Sequence, residues 1–152
     1  MSEKIAIVIL NYLNYKDTEE CIESIFERKY KLCGIVVVDN GSSNGSYEHL
    51  AEKYADRELV HLISSRKNLG FAKGNNLGIK YARKKLKAEY VFAVNNDTLF
   101  TDEKYFDKLL SACDKETGIV RSNIRIPVNE LYQEGYLDLH YPWVLRKYLD
   151  YF

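Results

Sequence analysis

Asn95, Asn96 and Asp97 close an apolar run that begins at Tyr90-Val91-Phe92-Ala93-Val94. A carboxylate beside two carboxamides gathers hard oxygen ligands of the kind that suit Mg²⁺ or Mn²⁺, and such ions commonly serve a phosphate. One carboxylate suffices, because Mg²⁺ keeps several waters and takes further ligands from phosphate oxygens. The chemistry on offer is Lewis-acid help, a cation neutralising charge that grows on a departing diphosphate. Asp97 has a plainer reading as the cap of the next helix. Thr101 and Asp102 are better placed for that task.

A second polar tip precedes it. Ile35-Val36-Val37-Val38 runs into Asp39-Asn40-Gly41-Ser42-Ser43. Asp39 is either a turn residue that bonds its own backbone or an acceptor for the base or ribose of a nucleotide. The second reading is favoured, because a metal–diphosphate site at Asp97 requires a nucleotide beside it. The third unusual stretch is Asn68-Leu69-Gly70-Phe71-Ala72-Lys73-Gly74-Asn75-Asn76-Leu77-Gly78-Ile79. Gly70, Gly74 and Gly78 share one helical face, and each glycine inside a helix costs roughly 1 kcal/mol relative to alanine. Something must approach that face closely, the sheet at Gly78 and a ligand or the sheet elsewhere. Asn68 and Gly70 lie at the helix start, where free N–H groups favour an anion. Tyr12 and Asn14 follow the first strand, and stacking on a nucleobase competes there with ordinary loop packing.

These residues need elements to hold them. Ile5 to Leu10 reads as a central parallel strand covered on both faces. Asp17 with Glu20 reads as a capping box for a first helix carrying Cys21, Ile22, Ile25 and Phe26. A strand over 35–38, a helix carrying Tyr47, Leu50, Ala51 and Tyr54, and a strand near Val60, Leu62 and Ile63 follow. A helix from Gly70 to Arg83 and a strand from Tyr90 to Val94 come next. Thr101 or Asp102 caps a fourth helix with Tyr105, Phe106, Leu109 and Leu110, and residues 118–126 suggest a fifth strand. This β-α-β-α order predicts an open, mostly parallel, Rossmann-like α/β sheet with right-handed crossovers and helices on both faces. One domain is expected over residues 1–126. Beyond it, residues 127–152 crowd Tyr132, Tyr136, Tyr141, Trp143, Tyr148, Tyr151 and Phe152 into a tail. A sheet that has ended cannot bury them all, so the tail is expected to mediate self-association or peripheral membrane contact.

Composition removes several function classes. The chain has 152 residues, 46% hydrophobic, with 22 basic and 22 acidic side chains, so no net field recruits nucleic acid. No apolar stretch approaches the ~20 residues of a membrane span, and the run from Ile5 to Leu10 is too short for a signal-peptide core. Cys21, Cys33 and Cys113 are widely spaced and read as reduced thiols of a cytoplasmic protein. The basic group Lys80, Arg83, Lys84, Lys85 and Lys87 complements a helix C-terminus. His49, His61 and His140 read as structural.

Four segments in this order resemble the family-2 glycosyltransferases, inverting enzymes of the A-type glycosyltransferase fold. They are Ile7-Val8-Ile9-Leu10-Asn11-Tyr12, Val37-Val38-Asp39-Asn40-Gly41-Ser42, the Asn68-to-Gly78 run and Asn95-Asn96-Asp97. The likeness covers residues 4 to about 125, and the Asn-Gly-Phe-Ala run is most similar to the bacterial rhamnosyltransferase-like branch. It implies transfer of a sugar from a UDP- or dTDP-sugar to a glycan or lipid-linked acceptor. It also implies Mg²⁺ or Mn²⁺ at Asp97, with donor contacts from Asn11, Tyr12, Asp39, Asn68, Gly70, Asn76, Asn95 and Asn96. Asn95 stands where the family's Asp-x-Asp motif begins, an uncharged departure that can still hydrogen-bond a ribose. The family's general base lies well beyond that motif, and none is identifiable here, with Glu130, Glu134 and Asp138 the carboxylates available. The chain therefore reads as the donor-binding half, acting at the inner face of the membrane. The runner-up is a nucleotide-sugar-binding module without turnover that needs a partner or a C-terminal half. A dinucleotide-binding or P-loop protein is disfavoured, because neither glycine signature is present.

Overall fold

A computed structural model describes residues 4–113, 119–121 and 143–145. Four aliphatic segments form its parallel strands: β1 (Ile5–Asn11), β2 (Gly34–Asp39), β3 (Val60–Ser64) and β4 (Tyr90–Asn95). Two short strands complete a six-stranded sheet of order β3-β2-β1-β4-β6-β5, with β5 at Ile119–Arg121 and β6 at Trp143–Leu145. β1 pairs in parallel with both β2 and β4, setting Asn11 opposite Asp39 and Leu10 opposite Asn95. The expected open, mostly parallel α/β sheet is what forms.

Side-chain alternation along each strand splits the core in two. Ile7, Ile9, Ile35, Val37 and Phe92 pack with Cys21, Ile22 and Ile25 of α1 (Tyr15–Glu27) and Leu50 of α2 (Ser46–Lys53). Phe106 and Leu109 of the short α4 (Tyr105–Ser111) cover the same face. Ala6, Val8, Val36, Val38 and Val91 face the other way, against Ile79 and Ala82 of α3 (Phe71–Lys84). The chain thus leaves β2 toward one face and β3 toward the other. That divergence opens the crevice at which α/β sheets bind ligands, outside the carboxyl ends of the strands.

The glycines of α3 serve two purposes. A Cβ on Gly78 would lie 2.4 Å from Val8 Cγ1 and 2.9 Å from Val38 Cγ2, and one on Gly74 would lie 2.6 Å from Leu10 Cδ1. Those two glycines let the helix backbone settle on the sheet. Gly70 has open space around it and a φ of +79°, and it turns the chain into the helix.

Three expectations need correction. Helix α1 begins earlier than the Asp17 cap predicted: Asn14 is the N-cap, its Oδ1 accepts Asp17 N–H at 3.4 Å, and its Nδ2 donates to Asp17 Oδ2 at 2.6 Å. Asp17 is the third-position partner in that reciprocal cap. At α4, Asp102 accepts Lys104 N–H at 2.9 Å from just outside the helix, whose N-cap is Lys104. Finally, the sheet does not end before the tail. β6 inserts between β4 and β5, antiparallel to both, because Trp-Val-Leu is strand-favouring sequence beside an otherwise open edge. The remaining tail aromatics, residues 122–126 of the expected fifth strand, and His140 lie outside the described residues.

The helix–sheet contact predicts a sharp asymmetry in α3. Gly78→Ala is expected to lower stability by about 1–3 kcal/mol through overpacking. Lys80→Ala, on the exposed side, is expected to change it by less than about 0.5 kcal/mol. Urea unfolding of both variants measures this, and equal midpoints would contradict the close approach.

Candidate functional site at the carboxyl edge of the sheet

The last residues of β1, β2 and β4 converge at one edge. Asp39, buried, points to the α1 face and holds two donors: Asn11 Nδ2 reaches Oδ2 at 2.8 Å and Ser42 N–H reaches Oδ1 at 2.9 Å. A buried carboxylate left unpaired would cost several kcal/mol. A carboxylate offers about four lone-pair positions, so Asp39 retains acceptor capacity beyond these two bonds. The chain of contacts continues toward β4. Thr18 Oγ1 donates to Asn11 Oδ1 at 2.9 Å and accepts from Asn96 Nδ2 at 3.2 Å. Asn96 Nδ2 also donates to the Asn14 carbonyl at 3.1 Å. Asp39, Asn11, Thr18 and Asn96 therefore form one relay linking the tip of β2 to the loop after β4.

Tyr12 sits on the rim of this relay and is exposed. Its neighbour Leu13 has φ +59°, a conformation that costs of order 1–3 kcal/mol in a non-glycine residue. Ser42 Oγ accepts Leu13 N–H at 2.9 Å, and Asn44 Nδ2 donates to the Leu13 carbonyl at 2.9 Å. The loop after β2 thus holds the strained loop after β1 from both sides of one residue.

Asn40, next in the chain, points to the opposite face and organises the loop before α3. Its Nδ2 donates to Asn68 Oδ1 at 3.1 Å, and its Oδ1 accepts Leu69 N–H at 3.0 Å. Asn68 Oδ1 in turn accepts Gly70 N–H at 2.7 Å. Gly41, at φ +76°, packs so closely on this loop that a Cβ would lie 2.4 Å from the Lys67 carbonyl carbon. Gly70, the N-cap of α3, has no side chain with which to cap it, and no acidic residue occupies the first turn of the helix.

Asp97 stands on a turn in which Thr98 N–H donates to the Asn95 carbonyl at 3.2 Å, and its side chain is exposed. The segment that follows is fastened to α1. Ser24 Oγ accepts Phe100 N–H at 3.0 Å, Arg28 Nε donates to the Phe100 carbonyl at 3.0 Å, and Tyr30 donates to the Asp102 carbonyl. Phe100 is buried in an aromatic group with Tyr30, Tyr105 and Phe106. Burial, with the Asp97 carboxylate adding to it, pushes the Cys21 thiol up to about 12. Asp97 itself is open to water. No group of three or more His, Cys, Asp or Glu gathers for a metal among the described residues. A single exposed carboxylate on an anchored turn fits a hard cation that takes its other ligands from water and phosphate.

The edge brings together Asn11, Tyr12, Asp39, Asn95, Asn96 and Asp97, with Asn68 and Gly70 on the far side of Asn40. Asn76 is exposed on α3. Its neighbour Asn75, which sequence reasoning passed over, is buried, donates from Nδ2 to the Phe71 carbonyl at 3.0 Å, and leaves Oδ1 without a partner among the described residues. Only the helix register, with Gly74 and Gly78 fixed against the sheet, shows which of the adjacent asparagines turns inward. Thr18, the middle of the relay, also escaped notice, since a threonine in a helix carries no chemical signature of its own. His49 bonds Glu19 at 2.6 Å, and His61 stacks with Tyr81 at 5.5 Å, so both are tied into the scaffold.

An open, mostly parallel sheet with polar tips on β1, β2 and β4 is a nucleotide-binding type of α/β architecture, and comparison narrows it. Residues 5–151 match Glycosyl transferase family 2, and the chain belongs to that family. It is 30% identical over 134 residues to the low-salt glycan biosynthesis hexosyltransferase Agl10 of Haloferax volcanii, covering 86% of this chain and 41% of that protein. It is 32% identical over 126 residues to the dTDP-rhamnosyl transferase RfbF of Shigella flexneri, covering 83% of this chain and 40% of that protein. The chain thus spans well under half the length of these relatives. Among solved structures, the Pyrobaculum calidifontis mannosyltransferase PcManGT, in complex with GDP-Man and Mn²⁺, superposes with a TM-score of 0.69 at 21% identity, over 82% of this chain and 36% of that one. That likeness shows a shared fold. The family match continues through the aromatic tail, beyond the stretch near residue 125 where the sequence resemblance ends.

The role of Asn40 is directly testable. Asn40→Ala removes the acceptor of Leu69 N–H and the donor to Asn68, and is expected to cost about 1–3 kcal/mol. Hydrogen exchange at Leu69 and Gly70 should accelerate while β1 and β4 amides keep their order of protection. Unchanged exchange in that loop would show that something else holds it.

Proposed function

We propose that this chain supplies the donor-binding half of a glycosyltransferase that moves a sugar, with inversion, from a nucleoside-diphosphate sugar to a glycan or lipid-linked acceptor. The observation that carries the reading is the relay from Asp39 through Asn11 and Thr18 to Asn96, which ties a buried acceptor to the loop bearing an exposed carboxylate. β2 and β4 flank β1, so their tips stand about 10 Å apart, two interstrand spacings. That separation suits a nucleoside at one tip and a diphosphate at the other. Asp39 accepts hydrogen bonds from the base or ribose, and exposed Tyr12 offers a ring for stacking. The start of α3, behind Asn68 and Gly70, directs the positive end of the helix toward negative charge.

Asp97 would hold Mg²⁺ or Mn²⁺, and Asn95 and Asn96 beside it bond the ribose and brace the turn. The bound cation supplies Lewis-acid neutralisation of the leaving diphosphate. Asn96 ties the Asp97 turn to Asn14 and Thr18, and Ser24, Arg28 and Tyr30 fasten the segment that follows it, so the carboxylate need not be ordered when the ligand arrives. A general base for the acceptor hydroxyl is worth ~10²–10⁴ in rate. Glu130, Glu134 and Asp138 lie outside the described residues, and none is assigned that role. PcManGT binds GDP-Man and S. aureus TarS has been seen with UDP, and RfbF is named for dTDP-rhamnose chemistry. These support a nucleoside-diphosphate sugar as the ligand class here.

Calorimetry with UDP, dTDP and GDP, with and without Mn²⁺, tests the assignment. Asp97→Asn, an exposed change, should abolish the Mn²⁺-dependent part of the affinity in a folded protein. Asp39→Ala should weaken nucleoside diphosphates while leaving pyrophosphate binding nearly unchanged. Intact metal-dependent binding in the first variant, or equal losses for both ligands in the second, would overturn the corresponding role.

A further inference from the structure

We propose that the outward face of α3 is a docking surface for an anionic lipid bilayer, with the helix lying flat on the headgroups. The chain balances 22 basic against 22 acidic side chains, yet it sorts them by region. From Leu59 to Ala88 there is no Asp or Glu, while Arg66, Lys67, Lys73, Lys80, Lys84 and Lys87 are all exposed. None of these six makes an ion pair among the described residues. Acidic side chains collect across the sheet, with Glu19, Glu20 and Glu23 on α1 and Glu48 and Glu52 on α2. Because α1 and α2 pack on one face of the sheet and α3 on the other, the described residues are polarised through their thickness.

The helix dipole explains only part of this pattern. It favours cations at a helix C-terminus, which accounts for Lys84. Lys73 stands in the first turn, where the dipole disfavours a cation, and Arg66 and Lys67 precede the helix altogether. An anionic surface against the helix accounts for all of them together. Lys73, Lys80 and Lys84 share the side of α3 opposite Gly74 and Gly78, which touch the sheet. Leu77, half-buried at the margin of the core, sits among these lysines at helical spacing, with half-buried Tyr81 one turn further on. A leucine within a ring of lysines suits a helix lying in a lipid interface. The apolar side chain turns toward the acyl boundary, and the lysine stems carry their charges to the headgroups. On a nucleic-acid backbone Leu77 would find no apolar partner, and this row has no arginine for bidentate phosphate contacts.

Charge also sets the orientation. A helix is about 10–12 Å across with its side chains, wider than the ~8 Å Debye length at physiological ionic strength. A bilayer touched by α3 is therefore screened from the acids of α1 and α2, whereas the reverse placement would be repelled. α3 starts at the carboxyl edge of the sheet, with Gly74 beside Leu10 and Gly78 beside Val8. The crevice then opens sideways along the bilayer. The docking itself does not depend on the transfer reaction proposed above.

Cosedimentation of the full chain with vesicles tests the proposal, with circular dichroism to confirm that each variant is folded. The vesicles are one part phosphatidylglycerol to two parts phosphatidylcholine, or phosphatidylcholine alone. The expected result is binding to the anionic vesicles only, lost as ionic strength approaches about 1 M, where the Debye length is about 3 Å. Lys73→Glu, Lys80→Glu and Lys84→Glu combined should weaken that binding at least about tenfold. The same number of reversals beside α1, Lys16→Glu, Lys29→Glu and Lys31→Glu combined, should change it by less than about twofold. Absence of vesicle binding would overturn the proposal, and an RNA duplex bound instead would assign the face to nucleic acid. Equal losses in the two variants would reduce the effect to net charge and overturn it as well. So would binding indifferent to the α3 variant, which would assign the contact to another surface such as the aromatic tail.

Discussion

The bond between Asn11 and Asp39 is the constraint on which the edge of this sheet depends. A carboxylate that is almost wholly buried must have donors within reach, or the chain would not fold around it. β1 and β2 meet that need because their parallel register sets Asn11 directly opposite Asp39. Ser42 adds a second donor from the loop. Once Asn11 is committed to Asp39, its carbonyl oxygen turns to Thr18, and Thr18 to Asn96. Three strands and the first helix are thereby held at a common level by polar contacts, above the apolar core that holds them laterally. A small shift of β1 along β2 would leave the carboxylate unsatisfied, so the register is specified twice, by the core below and by the polar pair above.

The neighbouring residue applies the same logic to the other face. Because strand side chains alternate, Asp39 and Asn40 organise opposite sides of the sheet from adjacent positions. Asn40 meets the main chain of the loop before α3, and Gly41 lets that loop lie against the turn without a side chain between them. The crevice consequently has one wall built from α1 and another from the start of α3. The groups left exposed on it, Tyr12 and Asp97, project from loops that are themselves tethered. Rigid supporting groups beneath exposed side chains are what the proposed site for a charged, extended ligand would need.

Much of this was legible in the residues. Apolar runs ending in Asp39 and in Asn95-Asn96-Asp97 announce buried strands with polar tips. The alternation of strand and helix signals leads to a parallel sheet because parallel strands require crossovers. The Gly70, Gly74 and Gly78 spacing signals a close approach. The start of α1 was harder to place, since Asn14 and Asp17 are both competent caps and only the geometry shows them bonding each other. β6 was hidden for a different reason: its neighbours β4 and β5 are distant in sequence, and a strand-favouring triplet does not say where in a sheet it inserts.

The sequence by itself therefore determined the fold class, the strands that carry the polar tips and the chemical character of those tips. These follow from local patterning, from side-chain period and from the cost of burying a charge. Only the tertiary structure decided how the tips are wired together. It made Thr18 the link between Asn11 and Asn96, turned Asn75 inward and Asn76 outward, and gave Gly70 a different task from Gly74 and Gly78. Each of these depends on contacts between segments far apart in the chain. Such contacts are set by packing of helix on sheet and strand on strand, which no window of neighbouring residues records.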